Sequence, residues 1–109
     1  MSDGRVRRAY LGVAGGPRPV PPQARATTGQ STCVEVVEVV EGGPADSAGI
    51  RPEDLILSVH GTRTERVEDL QRLMAADLIG VTVSVRLLRA GRAIELELVP
   101  AELDSGDGH

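Results

Sequence analysis

Short runs in which apolar and polar residues alternate, each bounded by glycine or proline, constrain the fold of this chain most strongly. Residues 33–40 are rich in valine with glutamates interspersed, which is the strongest strand signal in the sequence. In residues 55–60 the alternation predicts a strand with Leu55, Leu57 and Val59 facing the core together. Runs of this length and composition predict a chain that is mainly β.

A predicted β-hairpin closes the sequence. Residues 81–87 and 94–98 both alternate, and Ala90-Gly91 between them suits a two-residue hairpin loop. The register that follows has three cross-strand pairs, which are Arg86 with Glu95, Ser84 with Glu97 and Leu87 with Ile94.

Two helices are predicted between the strands. Pro44 suits the first position of a helical turn and Gly49 suits the residue after its end, so a one-turn helix is expected between them. Residues 65–77 are expected to form the one long helix, with Thr64 as its N-cap. Its apolar residues recur at three- and four-residue spacing: Val67, Leu70, Leu73, Met74 and Leu78.

The remaining segments are expected to be less regular. Residues 9–14 predict a short first strand, and the proline-rich residues 17–31 predict a stiff surface loop, in preference to an SH3-type ligand. We expect the folded domain to span residues 9–100. A flexible segment, residues 1–8, precedes it, and a disordered acidic tail, residues 101–109, follows it.

Composition excludes several classes of function in this chain of 109 residues. All twelve basic residues are arginine, so no lysine is present for a phosphate-binding loop, a Schiff base or a Ser–Lys dyad. Tyr10 is the only aromatic residue and the net charge is −4, which argues against a nucleic-acid partner. No apolar run is long enough to insert this chain in a membrane. No metal or cofactor is predicted.

Two reactive residue types occur without partners that would make them catalytic. Cys33 is the only cysteine, so it cannot form an internal disulfide, and a small buried apolar role is expected. His60 is expected to be a half-exposed strand residue, because no acidic partner or serine accompanies it at a catalytic spacing. The chain is therefore not expected to be an enzyme by itself.

The stretch Tyr10-Leu11-Gly12-Val13 is the candidate binding loop. A glycine between apolar residues lets successive backbone N–H groups converge on one point, and such a concavity can capture a peptide carboxylate. A plain strand that contains a glycine is the alternative interpretation.

Four motifs in order make the chain resemble a known family. They are Tyr10-Leu11-Gly12-Val13, Gly43-Pro44-Ala45-Asp46-Ser47-Ala48-Gly49-Ile50, Pro52-Glu53-Asp54-Leu55-Ile56 and Val59-His60-Gly61. Over residues 8–100 the chain resembles a PDZ domain, of the kind that follows the protease domain in bacterial HtrA-type serine proteases. The expected fold is α+β and mainly β, a partly open five-stranded β-barrel or sandwich capped by one long and one short helix. The strand order resembles the permuted bacterial form, with the peptide-binding strand near the N-terminus.

The resemblance implies a groove between the strand after Gly12 and the helix at residues 65–77, in which an extended peptide adds to the sheet edge. The residues it implies are the carboxylate-binding loop Tyr10, Leu11, Gly12 and Val13, the groove strand residue Ala14, and the helix residues Val67, Gln71 and Met74. Arg7 or Arg8 is expected to add positive charge.

Two binding functions remain open from the sequence. The first is recognition of hydrophobic C-termini or unfolded segments for a parent protease domain in the bacterial cell envelope or periplasm. The alternative is an interaction or assembly module whose groove binds an internal segment or a neighbouring subunit and gates protease activity. They differ in whether the ligand needs a free carboxylate.

Overall fold

The structure is a computed structural model that describes residues 7–74 and 76–104, without the side chains of residues 7, 8, 76, 103 and 104. Eight strands lie in this described part. They are β1 Arg7–Tyr10, β2 Val13–Pro19, β3 Thr32–Val39, β4 Leu55–Val59, β5 Thr62–Arg63, β6 Val83–Arg89, β7 Arg92–Leu98 and β8 Ala101–Asp104. The α-helices are α1 Pro22–Thr28, α2 Pro44–Ala48 and α3 Val67–Leu73, and a 3₁₀ turn spans Ala76–Leu78.

Two open sheets carry the fold. In the larger sheet the strands lie in the order β2-β3-β4-β6-β7, and β5 pairs with β4. Strands β1 and β8 form a separate antiparallel ribbon. The prediction of a mainly β chain with few helices is confirmed, although the described strands number eight instead of five.

The C-terminal hairpin is confirmed in its register. Strands β6 and β7 pair Arg86 with Glu95, Ser84 with Glu97 and Leu87 with Ile94. Ala90 and Gly91 form the two-residue loop with φ angles of 52° and 80°, the positive values that a tight hairpin turn needs.

Helix α2 is also confirmed. Pro44 begins it, and Gly49 ends it with φ of 97°, a left-handed conformation that glycine adopts without strain. The N–H of Gly49 donates to the carbonyls of Ala45 and Asp46, which satisfies the end of this short helix.

The core has two parts, one on each face of the larger sheet. The main cluster includes Leu11, Val34, Ile56, Val59, Leu70, Met74, Val83, Val85, Leu87 and Leu98. The second cluster contains Val20, Cys33, Leu57 and Leu88, with Ala24 and Leu55 packed against it. Helix α1 supplies Ala24, so it covers this second face.

The predicted facing of β4 is wrong. The pairing of β4 with β6 shifts register between Ile56 and Ser58, and this bulge interrupts the alternation. As a result Ile56 and Val59 lie in the main cluster, whereas Leu55 and Leu57 face the second cluster.

The predicted strand at residues 9–14 and the predicted loop at residues 17–31 are both wrong. Two strands replace the first, because β1 ends at Tyr10 and β2 begins at Val13. Strand β2 then continues to Pro19, and helix α1 fills most of the proposed loop. Helix α1 forms because Pro22 suits its first turn and Gly29, with φ of 68°, suits its end.

The predicted helix at residues 65–77 is shorter, spanning Val67–Leu73, and Thr64 does not cap it. The Thr64 hydroxyl is buried and donates to the Ile56 carbonyl at 3.2 Å. Instead, the carboxylate of Asp69 accepts the N–H groups of Glu65 at 2.9 Å and Arg66 at 3.1 Å. At the other end, the carbonyl of Met74 accepts the N–H of Ala9 at 3.2 Å, which ties the end of α3 to β1.

The chain ends differ from expectation where they are described. Ala101–Asp104 form β8 and pair with β1, so these residues are not a disordered tail, and Arg7 and Arg8 belong to a strand. Residues 1–6 and 105–109 lie outside the described residues, and the proposed domain limits of 9–100 stay a prediction. In the described part, no helix is long and apolar enough to cross a membrane.

The two reactive residues have structural positions. Cys33 is fully buried as expected, and burial raises the pKa of its thiol. His60 is not in a strand, because it lies exposed in the turn after β4 with φ of 54°.

An ion pair between buried Asp54 and half-buried Arg89 joins β6 to the segment before β4. The guanidinium of Arg89 donates to both carboxylate oxygens of Asp54 at 2.9 and 2.7 Å, and to the Gly49 carbonyl at 2.7 Å. The hydrogen bond to Asp54 raises the pKa of Arg89. Through these hydrogen bonds, Arg89 holds the end of α2 and the residue before β4 against the sheet.

We expect Leu57→Asp to unfold the domain or nearly so, because it leaves a charge without a partner in the second cluster, where Leu57 is 4% exposed. An unpaired buried charge costs about 3–5 kcal/mol, a large share of the roughly 5–15 kcal/mol that stabilises a typical domain. Val37→Asp is the matched control, because Val37 lies in the neighbouring strand β3 but is 64% exposed. Urea melts of both variants check this, and equal loss of stability in the two would contradict the assigned burial.

Candidate functional site

A groove of about 520 Å³ lies between strand β2 and helix α3. Its lining consists of residues 9–15 together with Val34, Val67, Leu70, Gln71 and Met74. Every sequence-predicted site residue whose side chain is described lines this one groove. Their role in binding stays a prediction.

The closed end of the groove is the turn at Leu11 and Gly12 between β1 and β2. Gly12 has φ of 85°, a backbone conformation that a residue with a side chain rarely adopts. The Leu11 carbonyl accepts the N–H of Ala45 and the Gly12 carbonyl accepts the N–H of Val40, both at 2.8 Å. Neither donor lines the groove, so both carbonyls point away from it.

The N–H groups of this turn, unlike its carbonyls, have no hydrogen-bond partner among the described residues. In the described part of the chain, the N–H groups of Leu11 and Gly12 donate to no other residue. Two adjacent backbone donors at the closed end of a groove suit an anion with two oxygens, such as a carboxylate. Tyr10 borders the turn, and its hydroxyl lies 3.5 Å from where a Cβ on Gly12 would stand.

One wall of the groove is a single face of α3. Val67, Leu70, Gln71 and Met74 recur at the three- and four-residue spacing that brings helical side chains to the same side. Met74 is 7% exposed and also belongs to the main cluster, so the base of the groove is apolar. Leu70 is not among the groove residues that the sequence predicts, but it lines the groove and also lies in the main cluster.

The facing wall is the outer edge of β2, which pairs with β3 alone among the described strands. At the two ends of this pairing, the Gly12 carbonyl accepts the N–H of Val40, and the N–H of Val20 donates to the Ser31 carbonyl at 2.8 Å. Successive residues of a strand point their N–H and C=O groups to opposite edges. Because Gly12 and Val20 bond toward β3, the even-numbered residues of β2 point their N–H and C=O groups toward β3. Val13 and Gly15 therefore point theirs toward the groove.

Gly15 is required by the close approach of β3. A Cβ at this position would overlap with the Glu35 carbonyl oxygen, which no side chain can tolerate without a shift of backbone. The contact follows from the strand pairing, so the sequence alone carried no signal for it. Leu70, in contrast, could have been assigned from its three-residue spacing to Val67.

The auxiliary charge proposed for Arg7 and Arg8 is not placed by the structure. Their backbone lies in β1, paired with Asp104 and Leu103, and their side chains lie outside the described part. The contribution of these arginines to binding stays a prediction.

A second cavity of about 590 Å³ lies elsewhere on the surface, and its lining is charged. Its charges are largely paired within the protein, Arg18 with Glu35 at 2.8 Å and Arg89 with Asp54 at 2.7 Å. Across the described residues, no group of histidine, cysteine and acidic side chains could hold a metal ion. The groove is therefore the better candidate for a binding site.

Residues 35–89, half of the chain, match the family model described as PDZ domain. The match includes helix α3 and leaves out the turn at Leu11 and Gly12. Across 99% of its length the chain is 29% identical to a DegP-like periplasmic serine endoprotease of Chlamydia trachomatis, of which it covers 22%. The chain thus spans about a fifth of the length of that relative.

Solved structures agree in fold. A serine endoprotease from Yersinia pestis superposes with a TM-score of 0.73 at 32% identity, over 94% of this chain and 32% of that one. The HtrA-type protease AlgW, solved with a tripeptide, superposes with a TM-score of 0.74 at 25% identity. The superposition covers 96% of this chain and 35% of AlgW.

The start of α3 should make stability depend on pH. The hydrogen bond from the Glu65 N–H, followed by that from Arg66, lowers the pKa of Asp69 below its ordinary value. A carboxylate with a lowered folded-state pKa stabilises the fold above its unfolded value of about 3.9, and this contribution is lost as the pH falls through the folded value. Between these two values, stability should rise with pH more steeply in the parent than in Asp69→Asn. Urea melts between about pH 2 and 5 check this, and parallel profiles would contradict it.

Proposed function

The chain belongs to the PDZ-domain family, and we propose that it is the peptide-recognition module of an HtrA-type serine protease. In this proposal it binds hydrophobic C-termini or the ends of unfolded segments by β-strand addition to β2. The observation that carries the proposal is the pair of N–H groups at Leu11 and Gly12, which donate to no described residue and lie at the closed end of an apolar groove.

The turn supplies the recognition of a chain terminus. A carboxylate placed at the closed end would accept hydrogen bonds from the N–H groups of Leu11 and Gly12, and the adjacent strand would continue the pairing through Val13 and Gly15. An internal segment has no carboxylate at this point, so it would leave those donors without a charged acceptor. The geometry therefore favours a free terminus as the ligand.

The base of the groove supplies the preference for the terminal side chain. Leu11, Leu70 and Met74 are all buried and apolar, and a methionine adapts its shape to different aliphatic groups. A terminal Val, Leu or Ile would bury apolar surface there, whereas a charged side chain would lose its hydration without a partner.

The relatives support a role inside a larger protein. PDZ domains are non-catalytic modules, and this chain covers only a small part of its protease relatives. We therefore propose that the chain delivers or senses substrate for a covalently linked protease domain and has no catalysis of its own. The names of the relatives support a parent in the periplasm or cell envelope. AlgW, which was solved with a tripeptide, supports a short peptide as the kind of ligand.

We expect a peptide ending in Val with a free carboxylate to bind more tightly than its C-terminal amide. Charged hydrogen bonds contribute about 1.5–3 kcal/mol, which corresponds to roughly ten- to hundredfold in affinity. Dissociation constants on the order of micromolar are expected, since a short flexible peptide is ordered on binding. Tyr10, the only fluorophore and a groove residue, reports binding of peptides that lack aromatic residues.

The comparison of acid and amide separates the two binding functions. Equal affinities would contradict terminus recognition and favour the alternative, in which an internal segment or a neighbouring subunit occupies the groove. Binding of neither peptide by the folded protein would contradict both functions.

Gly12→Val should abolish peptide binding, since the new side chain strains the turn whose N–H groups hold the carboxylate. A left-handed conformation costs a residue with a side chain about 1–2 kcal/mol, so the fold should survive. Gly42→Val is the matched control, because Gly42 has φ of 79° in a turn outside the groove. Both variants should melt at similarly lowered temperatures, and only Gly12→Val should lose binding by tenfold or more, on the order of a lost charged hydrogen bond. Equal affinity of the two variants would remove the turn from the site.

A further inference from the structure

The outer edge of β2 contains two prolines where hydrogen-bond donors would otherwise stand. Strand β2 ends with the sequence Pro17-Arg18-Pro19, and both prolines are exposed. We propose that Pro17 and Pro19 end the pairing edge of β2, so that the groove reads only about the last four residues of a ligand. This inference rests on the proposed function and names the length of chain that the same groove recognises.

The direction of the prolines follows from the pairing of β2 with β3. Pro17 lies opposite Val34 and Pro19 opposite Thr32, and the even-numbered Arg18 lies between them opposite Cys33. The Arg18 carbonyl points toward β3, where it accepts the thiol of Cys33 at 3.4 Å. Its odd-numbered neighbours therefore direct their backbone polar groups to the groove side.

The bulge in this pairing does not change that direction. The register shifts between Ala14 and Gly15, and the partners change from Glu38 to Val36. The unpaired residue is Val37 on β3, so the alternation along β2 is continuous from Val13 to Pro19. Val13, Gly15, Pro17 and Pro19 thus share one edge.

These four positions differ in the backbone hydrogen bonds that they can make with a ligand. A residue of an antiparallel strand that lies opposite Gly15 can exchange two hydrogen bonds with it, one through the N–H and one through the carbonyl. A residue opposite Pro17 can donate to its carbonyl but receives nothing in return, because proline has no N–H. With the ligand's last residue opposite Val13, the third from the end lies opposite Gly15 and the fifth lies opposite Pro17.

The proline rings also limit close approach. In an edge strand the ring takes the space from which an N–H would point, and it therefore stands between the edge and any added strand. The Arg18 side chain does not offer a substitute contact on this edge, since it is held by Glu35 at 2.8 Å. The same arrangement protects the exposed edge from pairing with other sheets.

The test uses peptides of three, five, seven and nine residues that share the same free C-terminal tripeptide, titrated by calorimetry. With the parent protein, affinity should rise from three to five residues and then stay within about twofold, since beyond the fifth residue the edge of β2 offers no N–H group. Pro17→Ala restores one N–H opposite the fifth residue from the end, so its affinity for the five-, seven- and nine-residue peptides should rise by about two- to tenfold over the parent. Its affinity for the tripeptide should not change.

Two further variants control for loss of proline as such. Pro52→Ala removes an exposed proline from a turn outside the groove and should leave every affinity as in the parent. Pro19→Ala should raise the affinity only of the seven- and nine-residue peptides, because the seventh residue from the end lies opposite Pro19. Circular dichroism verifies that each variant is folded.

The outcomes separate this inference from the function beneath it. Tripeptide binding by the parent supports the proposed function, whatever the longer peptides do. Affinity that keeps rising to nine residues in the parent, or no gain in Pro17→Ala, overturns the proline limit while leaving that function intact. Failure of all peptides to bind the folded parent overturns both.

Discussion

The two hydrogen bonds accepted by the Leu11 and Gly12 carbonyls are the constraint on which the site depends. A trans peptide unit has the carbonyl of one residue and the N–H of the next on opposite sides. Because Ala45 and Val40 hold the Leu11 and Gly12 carbonyls, the N–H groups of Gly12 and Val13 must face the other way. Gly12 makes the turn possible, because its positive φ reverses the local direction between β1 and β2. The orientation of the donors at the groove thus results from the hydrogen bonds that Ala45 of α2 and Val40, the residue after β3, make to the turn.

The rest of the groove is not separable from the core. Leu11, Leu70 and Met74 line the groove and also lie in the main hydrophobic cluster, and the Met74 carbonyl accepts a hydrogen bond from Ala9 in β1. The wall, the base and the closed end are therefore positioned by the same packing that holds the domain together. A substitution at the base of the groove would change stability and affinity together, whereas a substitution on the β2 edge can change affinity alone.

Local signals predicted the local features well. Ala90-Gly91 determined the hairpin register and Pro44 with Gly49 marked α2, because each depends on backbone preferences within a few residues. The same proline–glycine signature at Pro22 and Gly29 marks α1, and it was obscured by the other prolines around it. Three features depend on partners far away in the sequence, so no local pattern could reveal them. They are the bulge at Leu57, the hydrogen bond that joins the end of α3 to Ala9, and the pairing of β8. The residues predicted from the spacing on α3 and from the glycine at position 12 nevertheless line one groove.

The ribbon of β1 and β8 has a mechanical consequence. Arg7 pairs with Asp104 at one end of the ribbon and Tyr10 pairs with Ala101 at the other, so Arg7 and Asp104 lie side by side at the end that is farther from the turn at Leu11. Tension applied between Arg7 and Asp104 would open the ribbon one residue pair at a time, since in this geometry the load falls on the outermost pair alone. The force would reach the turn at Leu11 only after the last pair had separated. Tension too small to separate the four residue pairs of the ribbon would therefore leave the turn without load.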